Sequence, residues 1–266
     1  VRRSDAQARV SLVAAASDAT GVRAAVEQLP DAPALRVDAD TARLLGDRFV
    51  VRPDDSGDLA LVREGASPHS RTTLLGHETQ CFGRDREIGL IVSTFDECRS
   101  EPDARVVWVT GAAGIGKTRV RDEVLARIGA SDARVWSAQP DPTRAGVALG
   151  VLADLVRSAA AVAREDDEEH QRAALVSRAC EAVPEASRAR VVEFLSELLR
   201  IGVAEPSPQL RAARDEPTLL GDQVRRAFDD LVLAELARAP LALVVEDLQW
   251  ADAASVRAIS DVPRLA

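Results

Sequence analysis

The stretch Gly111-Ala112-Ala113-Gly114-Ile115-Gly116-Lys117-Thr118 constrains this chain more than any other. Its spacing, G-x-x-x-x-G-K-[ST], carries meaning only between a strand and a helix, and both flanks are present. Arg105 to Thr110 is an apolar run that stops at a glycine, which predicts a buried parallel strand. From Lys117 to Ile128, the residues Val120, Val124, Leu125 and Ile128 fall on one helical stripe. Gly111, Gly114 and Gly116 permit backbone conformations that turn successive N–H groups inward, and the helix N-terminus adds its positive end, so the loop suits phosphate. Lys117 would set a positive charge against the β- and γ-phosphates, and the Thr118 hydroxyl would join the shell of a Mg2+ ion. The alternative is a glycine-rich turn with an incidental Lys-Thr pair.

Two more apolar runs, Ala133 to Ala138 and Leu241 to Val245, read as buried strands. Helical stretches lie between and around them: Asp85 to Arg99, Val147 to Ala163, Gln171 to Val183, Ser187 to Ile201 and Leu219 to Arg238. Strands alternating with helices imply an α/β fold, a parallel sheet with helices on both faces. The charged run from Arg164 to Arg172 reads as a solvated helix face or loop. Before the sheet, Ala8 to Ala16 and Ala34 to Val37 suggest strands, while Asp18 to Leu29 and Asp38 to Leu45 suggest helices. Arg48 to Arg52 and Asp58 to Arg63 form a hairpin pattern around Asp54-Asp55-Ser56-Gly57. The stretch 65–80 has no periodicity and reads as a linker. The expected organisation is therefore a small α+β region over 1–65, a linker over 66–80 and the sheet domain over 81–266.

The last apolar run ends in two acids, Glu246 and Asp247. Downstream of a phosphate loop, a carboxylate in this place can hold the Mg2+ shell opposite Thr118, and a second acid can orient the attacking water. Adjacent strand residues point to opposite faces, so the two acids share a site only if the strand ends between them and the chain turns. The competing reading is a plain strand cap.

Composition narrows the partners. With 34 Lys plus Arg against 43 Asp plus Glu, the net charge of -9 opposes sequence-independent binding to nucleic acid or to an anionic membrane surface. No apolar run approaches the roughly 18 residues of a membrane span. Cys81, Cys98 and Cys180 are odd in number and far apart, which fits neither a zinc site nor a disulfide framework and makes a reducing cytoplasm the expected compartment. His69, His77 and His170 match no ligand or triad pattern. A start at Val1 and the absence of Met suggest either a fragment or a reading frame whose start codon is translated literally.

Residues 81–252 resemble the ATPase module of the AAA-like and STAND class of P-loop NTPases, found in bacterial signalling proteins that fuse it to kinases or cyclases. Phe82-Gly83-Arg84-Asp85-Arg86-Glu87-Ile88 is similar to the family's hGRExEL motif, Gly111 to Arg119 to its phosphate loop, and Val244 to Asp252, VVEDLQWAD, to its LLLEDLHWAD segment. Gln209 to Phe228 and Asp141 to Gly146 resemble segments of the kinase-linked subgroup. The resemblance implies ATP with Mg2+ as ligands, Gly83, Arg84 and Glu87 near the base, and Trp250 and Asp252 as buttresses of the acidic strand. Arg84 and Glu87 also read as a helix-start charge pair, and Trp250 as a packing residue. Most of the family has Asp and then Glu at the acidic positions, so Glu246 is one methylene longer and Asp247 one shorter than the pattern. Residues 1–65 faintly resemble the end of a cyclase-like or linker region, without a cyclase metal or transition-state pair.

In that family a further strand lies between the one entering the phosphate loop and the acidic one, and sensor residues follow it. The chain stops at Ala266, so the expectation is a sheet incomplete at the C-terminus, with unpaired edges and apolar faces on both neighbouring strands. Three functions compete. The leading one is a regulatory ATPase with protein partners or fused kinase or sensor domains. The second is a non-enzymatic remnant or interaction module that keeps the motifs. The third, a small-molecule kinase, lacks a substrate lid. No N-K-x-D stretch suggests GTP.

Overall fold

The computed structural model describes residues 81–264, apart from 102, 141 and 143–146, and within the first 80 the stretches 11–12, 36–37, 41–42, 49–53, 59–64, 73–74 and 77–78. The chain divides into two compact units, Val1–Ser70 and Arg71–Ala266. In the first, β1 (Ser11–Leu12), β2 (Arg36–Val37), β3 (Phe49–Pro53) and β4 (Leu59–Glu64) form one sheet in the order β1-β2-β4-β3. The strands β3 and β4 are the expected antiparallel hairpin, and a register shift between Val50 and Val51 puts a bulge in it. The expected helix at Asp18 to Leu29 and the turn at Asp54 to Gly57 lie outside the described residues, as does most of Asp38 to Leu45.

The second unit opens with a short antiparallel pair, β5 (Thr73–Leu74) and β6 (His77–Glu78), inside the stretch that reads as a linker. Then come α1 (Asp85–Ser100), α2 (Lys117–Ile128), β7 (Arg134–Ala138), α3 (Gly150–Ala160), α4 (Glu168–Ala182), α5 (Glu185–Leu199), α6 (Pro208–Arg214), α7 (Pro217–Leu236), β8 (Leu241–Val245) and α8 (Ala253–Asp261). The helices begin where local chemistry dictates. Asp167 caps α4 by accepting the His170 amide at 2.8 Å, which splits the charged run 164–172 into a turn and a helix start. Ser207 caps α6 by accepting the Leu210 amide at 3.1 Å, and α6 and α7 each open on a proline, whose missing N–H is no loss there.

The strands β7 and β8 pair in parallel from Arg134 with Leu241 to Ala138 with Val245. Side chains of β7 alternate between two clusters. Trp136 and Ala138 join the main core with α3, α5 and α7, while Val135 packs with Ile88 of α1 and Val120, Val124 and Ile128 of α2. This strand is therefore covered by helices on both faces, as the α/β reading expects. Trp136 meets Phe228 of α7 edge to face, with ring centroids 6.4 Å apart. The smaller cluster matters most for function, because it holds α1 against the helix that follows the phosphate loop.

One expectation fails. Arg105 to Thr110 is not a strand: it forms no ladder with the described residues, and Val106, Val107, Trp108 and Val109 are exposed, Trp108 by 64%. An apolar run becomes a strand only when a neighbour accepts its backbone groups, and among the described residues β8 is paired with β7 alone. All five residues of β8 are only half-buried, although LALVV is apolar enough for a strand covered on both faces. The expected apolar exposure at these two segments is observed.

Candidate functional site

The glycine loop has the backbone its sequence demands. Gly114 and Gly116 sit at φ 77° and 97°, a region that side chains avoid, and a Cβ on Gly111 would meet Ile115 Cγ2 at 3.0 Å. Ala112, Ala113, Ile115 and Thr118 are exposed. Lys117 turns back on the loop, its Nζ donating to the carbonyls of Gly111 and Ala112 at 3.0 Å each. Its ammonium is thereby held at the start of the loop by neutral acceptors, for which an anionic phosphate oxygen would be a stronger replacement because it adds the attraction of opposite charges.

The two acids lie on either side of a turn. Glu246 extends the ladder by one residue, its amide donating to the Ala138 carbonyl at 3.0 Å. Asp247 adopts the left-handed conformation at φ 41°, and a 3-10 turn over Leu248–Trp250 follows. The chain therefore bends between the acids, the condition under which neighbours can share a site. Asp247 is exposed and its Oδ1 accepts from Gln249 Nε2 at 3.2 Å. Glu246 is ion-paired to Arg121 of α2. Residues three apart on a helix share a face, so this pair brings Glu246 to the side of α2 that carries Thr118.

Arg84 joins the loop from the other side. One guanidinium nitrogen donates to the Ile115 carbonyl at 3.3 Å and another to Glu87 at 2.9 Å. The helix-start charge pair is thus present, and Arg84 reaches the glycine loop as well. The Arg84 hydrogen bond holds the Glu87 carboxyl below its usual range. Gly83, at φ 70°, makes the turn that starts α1.

Asp252 caps α8 through the Ser255 amide at 2.9 Å and accepts the amides of Leu149 at 2.9 Å and Val151 at 3.5 Å. Burial pushes this carboxyl up, but these hydrogen bonds outweigh it and the net shift is downward. It ties the turn after β8 to the start of α3, as expected of a buttress. Trp250 packs only in part: it is 42% exposed, because the chain leaves the sheet at Asp247 and the 3-10 turn leaves one side of the indole in solvent.

Sequence reasoning passed over Arg121. Its signal was its place one turn after Thr118, polar beside an otherwise apolar stripe. It also missed Glu235, fully buried in α7, whose Oε2 accepts from Arg134 of β7 at 2.6 Å and Arg178 of α4 at 2.7 Å.

The donor set suits a nucleotide-borne metal better than a resident one. Among the described residues no group of three or more His, Cys, Asp or Glu could hold a metal ion. A Mg2+ ion keeps several waters and takes phosphate oxygens as ligands, so a hydroxyl at Thr118 and a carboxylate at Glu246 are the contribution such an ion asks of a protein. Cys81, Cys98 and Cys180 are free thiols. No helix among the described residues is long and apolar enough to cross a membrane. No curated protein and no solved structure matches the chain. Residues 80–266, well over half of the chain, match the family model of the AAA ATPase domain, and with its glycine loop and acidic strand end the protein belongs to that family.

Proposed function

We propose that residues 81–266 are an ATP-binding, slowly hydrolysing regulatory ATPase module of a bacterial signalling protein, acting in the cytoplasm with protein partners or fused kinase or sensor domains. Residues 66–80 then serve as a linker from a cyclase-like or linker region over 1–65. The observation that carries the reading is the ion pair between Glu246 and Arg121, which sets the acidic end of β8 against the helix that begins at the phosphate loop. In this reading the amides of 111–116 hold phosphate oxygens, and Lys117 exchanges the Gly111 and Ala112 carbonyls for the β- and γ-phosphates. Thr118 and Glu246 would hold the Mg2+ ion, which would supply neutralisation of phosphate charge. Asp247, exposed beyond the turn, orients the attacking water. Slow turnover suits a switch whose nucleotide state sets the conformation of a larger regulator.

Lys117→Ala tests the reading. The substitution removes charge from a loop and no apolar contact from either core, so helix content stays while Mg·ATP binding, followed by calorimetry, is lost. Equal affinities of wild type and variant would sink it. The exposed run Val106 to Val109 favours a second reading, a non-enzymatic interaction module. That reading predicts an unchanged association with partner proteins in Lys117→Ala.

A further inference from the structure

The Arg121 guanidinium divides its nitrogens between two carboxylates. Nε donates to Asp122 at 2.9 Å and one terminal nitrogen joins it on the same oxygen, while the other terminal nitrogen pairs with Glu246. Asp122 is buried, and the side chains of Arg121 and Glu246 are 26% and 20% exposed. Charges this sheltered interact more strongly than a pair in open water. The Glu246 oxygen that meets the guanidinium is one that a divalent cation would also seek, and two cations cannot sit in contact with the same oxygen without repelling each other. We propose that Arg121 is a built-in competitor of the metal ion for Glu246, a positioning residue that sets how much Mg2+ the nucleotide site requires.

The inference deepens the nucleotide-site reading and rests on it. The geometry gives the competitor somewhere to go. Release from Glu246 breaks the contact of one nitrogen only, and the two bonds to Asp122 keep the guanidinium on α2 while the carboxylate turns to the metal. Lys117 shows the same economy, resting on the carbonyls of Gly111 and Ala112 until phosphate replaces them. Without ligand, Lys117 and Arg121 are thus each paired with oxygens of the chain itself. Mg·ATP displaces Lys117 from the carbonyls and Arg121 from Glu246. Metal-free ATP needs only the first displacement.

The test is a Mg2+ titration of ATP binding to the full chain by calorimetry, with ATP binding in EDTA as reference. Arg121→Gln lowers the Mg2+ concentration at half-saturation roughly three- to tenfold, the range set by loss of one partly sheltered ion pair, and leaves the EDTA affinity within about twofold. In a Glu246→Gln background the same substitution moves the midpoint no further. Arg121→Lys, whose single ammonium cannot serve Asp122 and Glu246 together, gives an intermediate fall and stands in if Arg121→Gln does not fold. A midpoint that stays or rises in the folded variants overturns the competitor and leaves the nucleotide site intact. Wild-type chain that binds no ATP in either Mg2+ or EDTA removes the nucleotide reading, and the competitor with it.

Discussion

Arg84 donates to the backbone carbonyl of Ile115 at 3.3 Å, so the first turn of α1 is fastened to the phosphate loop by a side chain from outside it. The packing of Ile88 against Val120 and Val124 sets the two helices side by side and makes this reach possible. Arg84→Ala should leave stability within about 0.5 kcal/mol, since the side chain is part-exposed and its pair with Glu87 is a surface one. ATP affinity should fall roughly three- to tenfold, through loss of a charge-assisted bond that holds the loop. Thermal unfolding and calorimetry on the same sample separate the two effects. A large drop in melting temperature would make Arg84 structural.

Glu235 makes the opposite prediction. Its carboxylate is wholly buried and takes both of its cations from other elements, Arg134 of β7 and Arg178 of α4. Glu235→Ala leaves those two guanidinium groups without their common anion and should destabilise the chain by on the order of 3–5 kcal/mol. Chemical denaturation measures it. A change under about 1 kcal/mol would mean that the arginines find other partners or water at no expense.

Asp252 supplies a pH dependence. Its folded pKa is depressed, so its contribution is complete above the unfolded value of about 3.9 and is lost as the pH falls through the lower, folded value. Melting temperature should therefore decline below about pH 4 in the wild type. Asp252→Asn keeps an acceptor for the Ser255 amide and should show a lower plateau with a flatter acid limb. Parallel acid limbs in the two proteins would remove Asp252 from the titration.

Much of this arrangement was legible in the residues. Strands β7 and β8, the parallel pair, fall within the short runs Ala133 to Ala138 and Leu241 to Val245 read as strands, and α2 spans Lys117–Ile128, the reach of its apolar stripe. The run Arg105 to Thr110 looked the same, yet a strand needs a neighbour and an apolar run reports only a preference for burial. Contacts between charged residues distant in sequence, Arg121 with Glu246 and Glu235 with Arg134, leave no periodic trace because each partner alone reads as a surface residue. How far Trp250 is covered was not legible for a related reason: its type predicts packing, but the left-handed Asp247 before it sets the chain direction and leaves the indole 42% exposed.

The last prediction concerns the division of labour between Glu246 and Asp247. The bend at Asp247 leaves Glu246 on the ladder, paired with the phosphate-loop helix, and puts Asp247 in solvent beyond it. If Glu246 holds the metal shell, Glu246→Gln weakens Mg·ATP binding and raises the Mg2+ requirement while leaving metal-free ATP binding nearly unchanged. Asp247→Asn should leave both affinities close to wild type and lower single-turnover hydrolysis in the full-length protein by about 10²-fold or more, since only the orientation and polarisation of water depend on that charge. Each substitution is nearly isosteric, so neither opens a cavity. The stability effects should also differ. Among the described residues the Asp247 side chain makes an exposed contact with Gln249, whereas Glu246→Gln weakens a partly sheltered ion pair and should lower the melting temperature slightly. If both variants changed melting temperature alone, with ATP affinity and turnover untouched, the acids would be a strand cap and the nucleotide site would rest on the glycine loop.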